Sequence, residues 1–348
     1  MPHPRPLGLP AQLTWPVPID PLGHAGPTEG YARGKQWRRT SRGLYVRAEV
    51  ERSTEQRITE AAAVLPSYGG VTGWAGLRWL GAMWFDGLRQ GGREERPVTL
   101  AVADRSIRPQ AGIATSEERL DPTELMVHQG LVVTTALRSL FFELRYAASD
   151  TEAVQAADMT AYADLVSREE LLAFLAVNAG WTGMDRSRMA GLDMEENAWS
   201  PTEVTMRRVW EHEAGLPRPL CNRPVFDASG HHVGTPDLID PVAGVVGEYN
   251  GALHLEGGQR ARDVRREARF RSVGLEPVEM LAGDLVDPFP FMARLREAYA
   301  RAARIPASDR RWTIELPPWW IPTFTVVQRR ALDDDQRRRL LRLRLRAG

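Results

Sequence analysis

Apolar positions change their period along the chain, and the changes mark out its elements. In Trp37-Arg38-Arg39-Thr40-Ser41-Arg42-Gly43-Leu44-Tyr45-Val46 a basic run meets a Gly turn and then an aromatic and β-branched run, which predicts a β-hairpin. Ser53-Thr54-Glu55-Gln56 ahead of Ile58 and Ala61-Ala62-Ala63-Val64-Leu65 predicts a capped helix that Pro66 stops. Beyond Val71, Trp74, Leu77 and Leu80 recur at helical spacing, so an aromatic helix is expected, with these side chains in a core rather than stacked on bases. Residues 97–102, 107–114 and 131–135 have strand character, and 136–148 helical character.

Further on, Ser200-Pro201-Thr202-Glu203 places a capping Ser before a Pro at the first helical position and an acid at the third; Gly215-Leu216-Pro217 closes that helix. Strands are predicted over 225–227, 233–239 and 245–249, the last two joined by a turn at Asp240-Pro241-Val242-Ala243-Gly244. A short strand over 276–280 and a helix over 291–301 follow. The expected fold class is α+β multidomain. Its parts are a Pro-rich irregular arm (1–27), a winged-helix-like unit (28–95), a middle α+β unit (96–198), a third unit (199–305) and a Trp/Pro- and Arg-rich tail (306–348). In the tail, Asp333-Asp334-Asp335 before Arg337-Arg338-Arg339 complements a helix dipole, and Trp319-Trp320 is expected to pack the tail onto the body.

Composition narrows the chemistry. The 348 residues carry 45 Lys+Arg against 45 Asp+Glu, so no global attraction to nucleic acid exists and any DNA contact must be local. Lys35 is the only lysine, which removes Walker-type nucleotide binding, lysine Schiff bases and the lysine of standard restriction-type sites. Cys221 stands alone, so neither an intramolecular disulfide nor a Cys-based zinc cluster forms. No apolar stretch of about 18 residues and no signal-peptide core is found, so a cytoplasmic protein without a membrane partner is expected.

The candidate chemistry lies in Gly234-Thr235-Pro236-Asp237-Leu238 and Glu248-Tyr249-Asn250-Gly251-Ala252-Leu253-His254. On antiparallel strands joined by a tight turn, Asp237 and Glu248 sit side by side, and two converging carboxylates supply hard oxygen ligands for a divalent ion such as Mg2+. Glu203 on the preceding helix is a candidate third acid, as ligand or as orienter of water. Arg262, Arg266 and Arg269 share one helical face, either as a phosphate-contacting row or as a solvated face paired with Asp263 and Glu267. Arg38, Arg39 and Arg42 of the basic hairpin are candidate contacts to DNA phosphates, or an ordinary solvated face.

Pro236-Asp237 followed by Glu248-Tyr249-Asn250 resembles the PD-(D/E)XK nuclease pattern, especially its branch similar to very-short-patch-repair endonucleases. Asp237, Glu248, Gly251, His254, Arg262, Asp263 and Arg266 stand at matching positions, and Ser200-Pro201-Thr202-Glu203 matches the helix start that often precedes them. The resemblance covers about a hundred residues. It implies a restriction-endonuclease-like α/β/α domain with a mixed sheet, a metal held by Asp237, Glu248 and Asn250, and His254 as candidate base. Asn250 occupies the position of the family's lysine, usually acidic in this branch, and so removes a charge from the site.

The upstream part is similar to AbiEi-type abortive-infection antitoxins, through Gly43-Leu44-Tyr45-Val46 and Gly130-Leu131-Val132-Val133-Thr134-Thr135-Ala136-Leu137-Arg138-Ser139-Leu140. That similarity implies a winged-helix DNA-binding domain and a toxin or phage-defence partner. The expected function is therefore a DNA-binding protein with a magnesium-dependent endonuclease domain, a hydrolase of phosphodiesters. The alternative is a noncatalytic DNA-binding regulator or antitoxin with a degenerate nuclease domain.

Overall fold

In the computed structural model, which describes residues 5–89, 92–251 and 257–342 (257–264 by backbone alone), the Pro-rich N-terminal segment supplies the first strand. This strand, β1 (Val17–Pro18), pairs with the second strand of a hairpin formed by β2 (Trp37–Ser41) and β3 (Leu44–Arg47), turned at Gly43 with φ +76°. The expected irregular arm is thus held in place. Leu9, Leu13 and Trp15 are buried, and the Gln56 amide bonds Thr14 in both directions, accepting from its N–H at 2.9 Å and donating to its carbonyl at 2.8 Å.

Gln56 lies on α1 (Thr54–Ala62), whose cap Ser53 accepts from the Gln56 N–H as the sequence predicts. The run from Val71 opens as a strand, β4 (Gly70–Thr72), before the helix α2 (Gly73–Trp79), because Val71 sits in the middle of a mixed sheet. That sheet also takes β5 (Val98–Ala101), β6 (Ile113–Ser116), β7 (Leu125–His128) and β8 (Leu131–Thr134), in the order β6-β5-β4-β8-β7. With β4 between β5 and β8, the boundary expected at 95/96 runs through one sheet. Trp74 and Leu77 are fully buried, as their spacing predicts, and α3 (Ala136–Tyr146) follows, capped by Thr135.

The described chain separates into two compact units, Met1–Ala147 with Glu170–Arg188, and Ala148–Glu169 with Met189–Gly348. The polypeptide passes between them three times, at Ala147/Ala148 ahead of α4 (Asp150–Tyr162) and then within α5 (Arg168–Val177) and α6 (Met184–Asp193).

The second unit is built on α7 (Pro201–Arg208), β9 (Leu220–Cys221), β10 (Val225–Asp227), β11 (His232–Gly234), β12 (Leu238–Asp240), β13 (Val245–Asn250), α8 (Gly257–Ser272), β14 (Glu276–Leu281) and α9 (Phe289–Ala302). Its mixed sheet has the order β14-β13-β12-β9, with only the β13–β14 pair parallel. Gly247 faces the Trp210 ring beyond α7, where a Cβ would fall 2.9 Å from Cζ3. On the opposite face Ile239 and Val246 pack with Phe270 of α8, so helices cover both faces. The expected tail also belongs to this unit: β15 (Trp312–Thr313) pairs with β10, and Trp320 packs on Phe226 at 5.1 Å between ring centroids. Arg329 of α10 (Val326–Arg330) is fully buried against Asp164, and α11 (Asp334–Leu340) returns to the same acid through Arg337. Among the described residues no helix is long and apolar enough to cross a membrane.

Candidate functional site

The strand register brings the two predicted acids together. β12 pairs antiparallel with β13 through Leu238↔Gly247, so one step further Asp237 faces Glu248, on the same side of the sheet as Ile239 and Val246. Asp237 accepts a hydrogen bond from the Tyr249 backbone N–H at 2.8 Å, which pins it across the strand pair. Asn250, two residues beyond Glu248, shares that face at the end of β13.

Glu203 reaches the site from the first turn of α7. Ser200 caps the helix and Pro201 opens it, and the buried Glu203 carboxylate then accepts from the Trp199 N–H at 2.8 Å, the Ser200 hydroxyl at 3.1 Å and the Asn222 side chain at 2.7 Å. Asn222 also ties the acids together through its backbone, because its N–H donates to the Asp237 carbonyl at 2.9 Å. Its φ of +49° is a conformation that Asn tolerates better than most residues, and the turn-forming Cys221-Asn222-Arg223-Pro224 is the one sequence signal that marks this linker.

Three carboxylates gathered in little water hold their protons tightly. Burial, followed by the charge of Asp237, pushes Glu203 up to about 8. Burial raises Asp237 as well, against the Tyr249 N–H and the Arg266 charge. Glu248 rises well above the ordinary carboxylate range, first from burial and then from Asp237. Among the described residues, Arg266 of α8 answers them: it lies 2.9 Å from Glu248 Oε2 and also donates to the Thr235 carbonyl. The other oxygen, Glu248 Oε1, is buried with no hydrogen-bond partner among the described residues. A cavity of about 430 Å³ opens here, lined by Glu203, Asp237, Arg266, Arg269 and His232 among others.

The remaining candidates divide. His254 lies outside the described residues, as does the Arg262 side chain, although Arg262 itself is on α8. In the hairpin, Arg38 is not free for phosphate: it forms a two-pronged pair with Glu60 at 2.7 and 2.9 Å. Arg39 and Arg42 are exposed, with the Arg39 Nε bonded to the Ser41 carbonyl.

A second acidic group lies elsewhere in this unit. Asp193, Glu211 and His212 have ligand atoms within 4.8 Å of one another, a spacing that could hold a metal ion. There, however, Arg207, Arg208 and Arg218 all pair with Asp193, and a cation would have to displace them. Glu203, Asp237 and Glu248 do not meet that spacing as a trio among the described residues, so the candidate is the facing pair Asp237 and Glu248, of which Asp237 lines the cavity. No protein-family model, curated protein or solved structure matches this chain.

Proposed function

We propose that the second unit is a divalent-metal-dependent phosphodiesterase of nuclease type, with Asp237 and Glu248 as the metal-holding pair. The observation that carries this reading is Glu248 Oε1, a carboxyl oxygen buried beside a second acid with no hydrogen-bond partner among the described residues. A fold leaves such an atom bare at a cost, and a hard cation is the partner its chemistry suits. The donor set fits Mg2+: carboxylate oxygens on adjacent strands, with the Asn250 carbonyl oxygen on the same face. When bound, the ion would polarise a phosphodiester and acidify a water molecule.

The chain's own groups have separate tasks in this reading. Asp237 is oriented by the Tyr249 N–H, and Glu203, held near neutrality by burial, is placed to keep a proton at the cavity wall. Arg266, always charged and paired with Glu248, is the described cation at the acids that takes the part of the missing lysine in this reading. The mixed sheet covered by helices on both faces agrees with the restriction-endonuclease-like α/β/α domain that the sequence resemblance implies. Exposed Arg39 and Arg42 support a DNA contact on the hairpin of the first unit.

The noncatalytic reading draws on a different pair of observations. Arg266 already pairs with Glu248, and Asn250 stands where the resembled nuclease branch usually has an acid. Incubation with plasmid DNA and Mg2+ separates the two. The proposal expects nicking that disappears in Asp237→Asn, whereas equal cleavage by both proteins, or none by either across divalent metals and substrates, overturns it.

A further inference from the structure

The cavity beside the acids has a second wall of different chemistry. Arg269 lines it one helical turn beyond Arg266, and its side chain is exposed. Arg266 pairs with Glu248 and Arg271 with Glu267, yet among the described residues no carboxylate pairs with Arg269. Facing the same cavity is the exposed His232 ring, backed by Trp320 at 5.2 Å and an interplanar angle of 38°, with its Nε2 fixed 3.0 Å from the Thr235 hydroxyl. Trp319, 61% exposed, continues this aromatic surface against Trp320 at 5.6 Å.

We propose that Arg269 and the His232–Trp320 surface form a second subsite, which takes the nucleotide adjacent to the phosphate held at the acids. The proposal rests on the phosphodiesterase reading for the position of that first phosphate. Arg269 supplies the charge for the neighbouring phosphate, since among the described residues no acid pairs with it. The aromatic rings offer a flat face to a base, and a base reaches such a face only when it is out of its duplex stack. A basic group beside exposed rings is the combination by which single strands are held with little regard to sequence. The ligand of this face is therefore a nucleic-acid strand with an unstacked base, rather than a closed duplex or an isolated phosphate ester.

The test is fluorescence anisotropy of a short labelled oligodeoxynucleotide, as single strand and as duplex, bound to the full chain in EDTA so that nothing is cleaved. Arg269→Gln and His232→Ala are each expected to weaken single-strand binding roughly tenfold while leaving duplex binding within about twofold. Arg269→Gln should also lower the slope of log affinity against log salt by about 0.7, the loss of one single-strand phosphate contact. Both side chains are exposed, and near-UV circular dichroism of the variants checks that the fold is kept. Unchanged single-strand affinity and salt slope in both variants, equal losses on duplex, or a wild-type chain that binds neither strand form would each overturn the subsite. Because the measurement needs no metal and no turnover, failure of the plasmid assay leaves this outcome independently readable.

Discussion

Glu203→Gln isolates the electrostatics of the site from its chemistry. Glu203 is only 4% exposed, and its carboxyl is raised from an ordinary 4.5 to about 8. At ~1.4 kcal/mol per tenfold change in proton affinity, that rise corresponds to about 5 kcal/mol between the protonated and charged forms. The fold binds this proton more tightly than the unfolded chain does. The contribution is therefore fully present below about pH 4.5 and is lost as pH rises through about 8. Glutamine keeps the local geometry without titrating: its carbonyl oxygen can accept from the Trp199 N–H and Asn222, and its amide can donate to the Ser200 hydroxyl. Wild type and variant should match near pH 5, with the variant gaining several kcal/mol by pH 9. Hydrogen exchange of the β12 and β13 amides, followed from pH 5 to 9 and corrected for intrinsic exchange, reads the difference in this unit alone. Parallel pH profiles for the two proteins would refute the claim that this carboxyl is held protonated by burial and by Asp237.

Three further outcomes are expected. Arg207→Met leaves Asp158 and Asp193 without the buried guanidinium that lies 3.0 and 2.7 Å from them, so urea denaturation at pH 8 should show a loss of about 3–5 kcal/mol. The loss should shrink at pH 6, because burial pushes Asp158 up to about 7 and a protonated Asp158 no longer needs the charge. Arg38→Ala strands Glu60, whose side chain is 10% exposed, and should lower the thermal midpoint by the equivalent of about 2 kcal/mol, whereas Arg39→Ala at an exposed position should not. Gly247→Ala forces a methyl to 2.9 Å from the Trp210 ring and should cost about 1–3 kcal/mol in urea denaturation, through a shift of midpoint rather than slope.

The parts of the site that were legible in the sequence are those written in short spans. The turn at 240–244 sets the β12–β13 register, and that register alone puts Asp237 opposite Glu248. Ser200 and Pro201 announce the helix that carries Glu203. Arg266 was legible only as one member of an arginine row; its pairing with Glu248 depends on how α8 packs over the sheet. The Arg38–Glu60 pair was hidden for a similar reason, since it joins residues 22 apart through the packing of a hairpin on a helix. The apparent winged-helix boundary failed because a three-residue strand, Gly70–Thr72, is too short to show a period, yet it occupies the centre of the five-stranded sheet.

By itself the sequence determined the local elements, their caps and turns, the facing of two acids across a hairpin, and the absence of any lysine beyond Lys35 to serve them. These depend on hydrogen bonds and periodicities within a few residues, or on composition. Only the tertiary structure decided which cation answers the acids, that Asn222 binds Glu203 to the strand carrying Asp237, that Glu248 keeps one oxygen bare, and that the Pro-rich arm is anchored by Gln56. Each of these is a pairing between distant segments, and burial rather than local propensity selects it. A charged or polar group removed from water must find a partner wherever the packed elements bring one within reach, and at Glu248 Oε1 the described residues bring none.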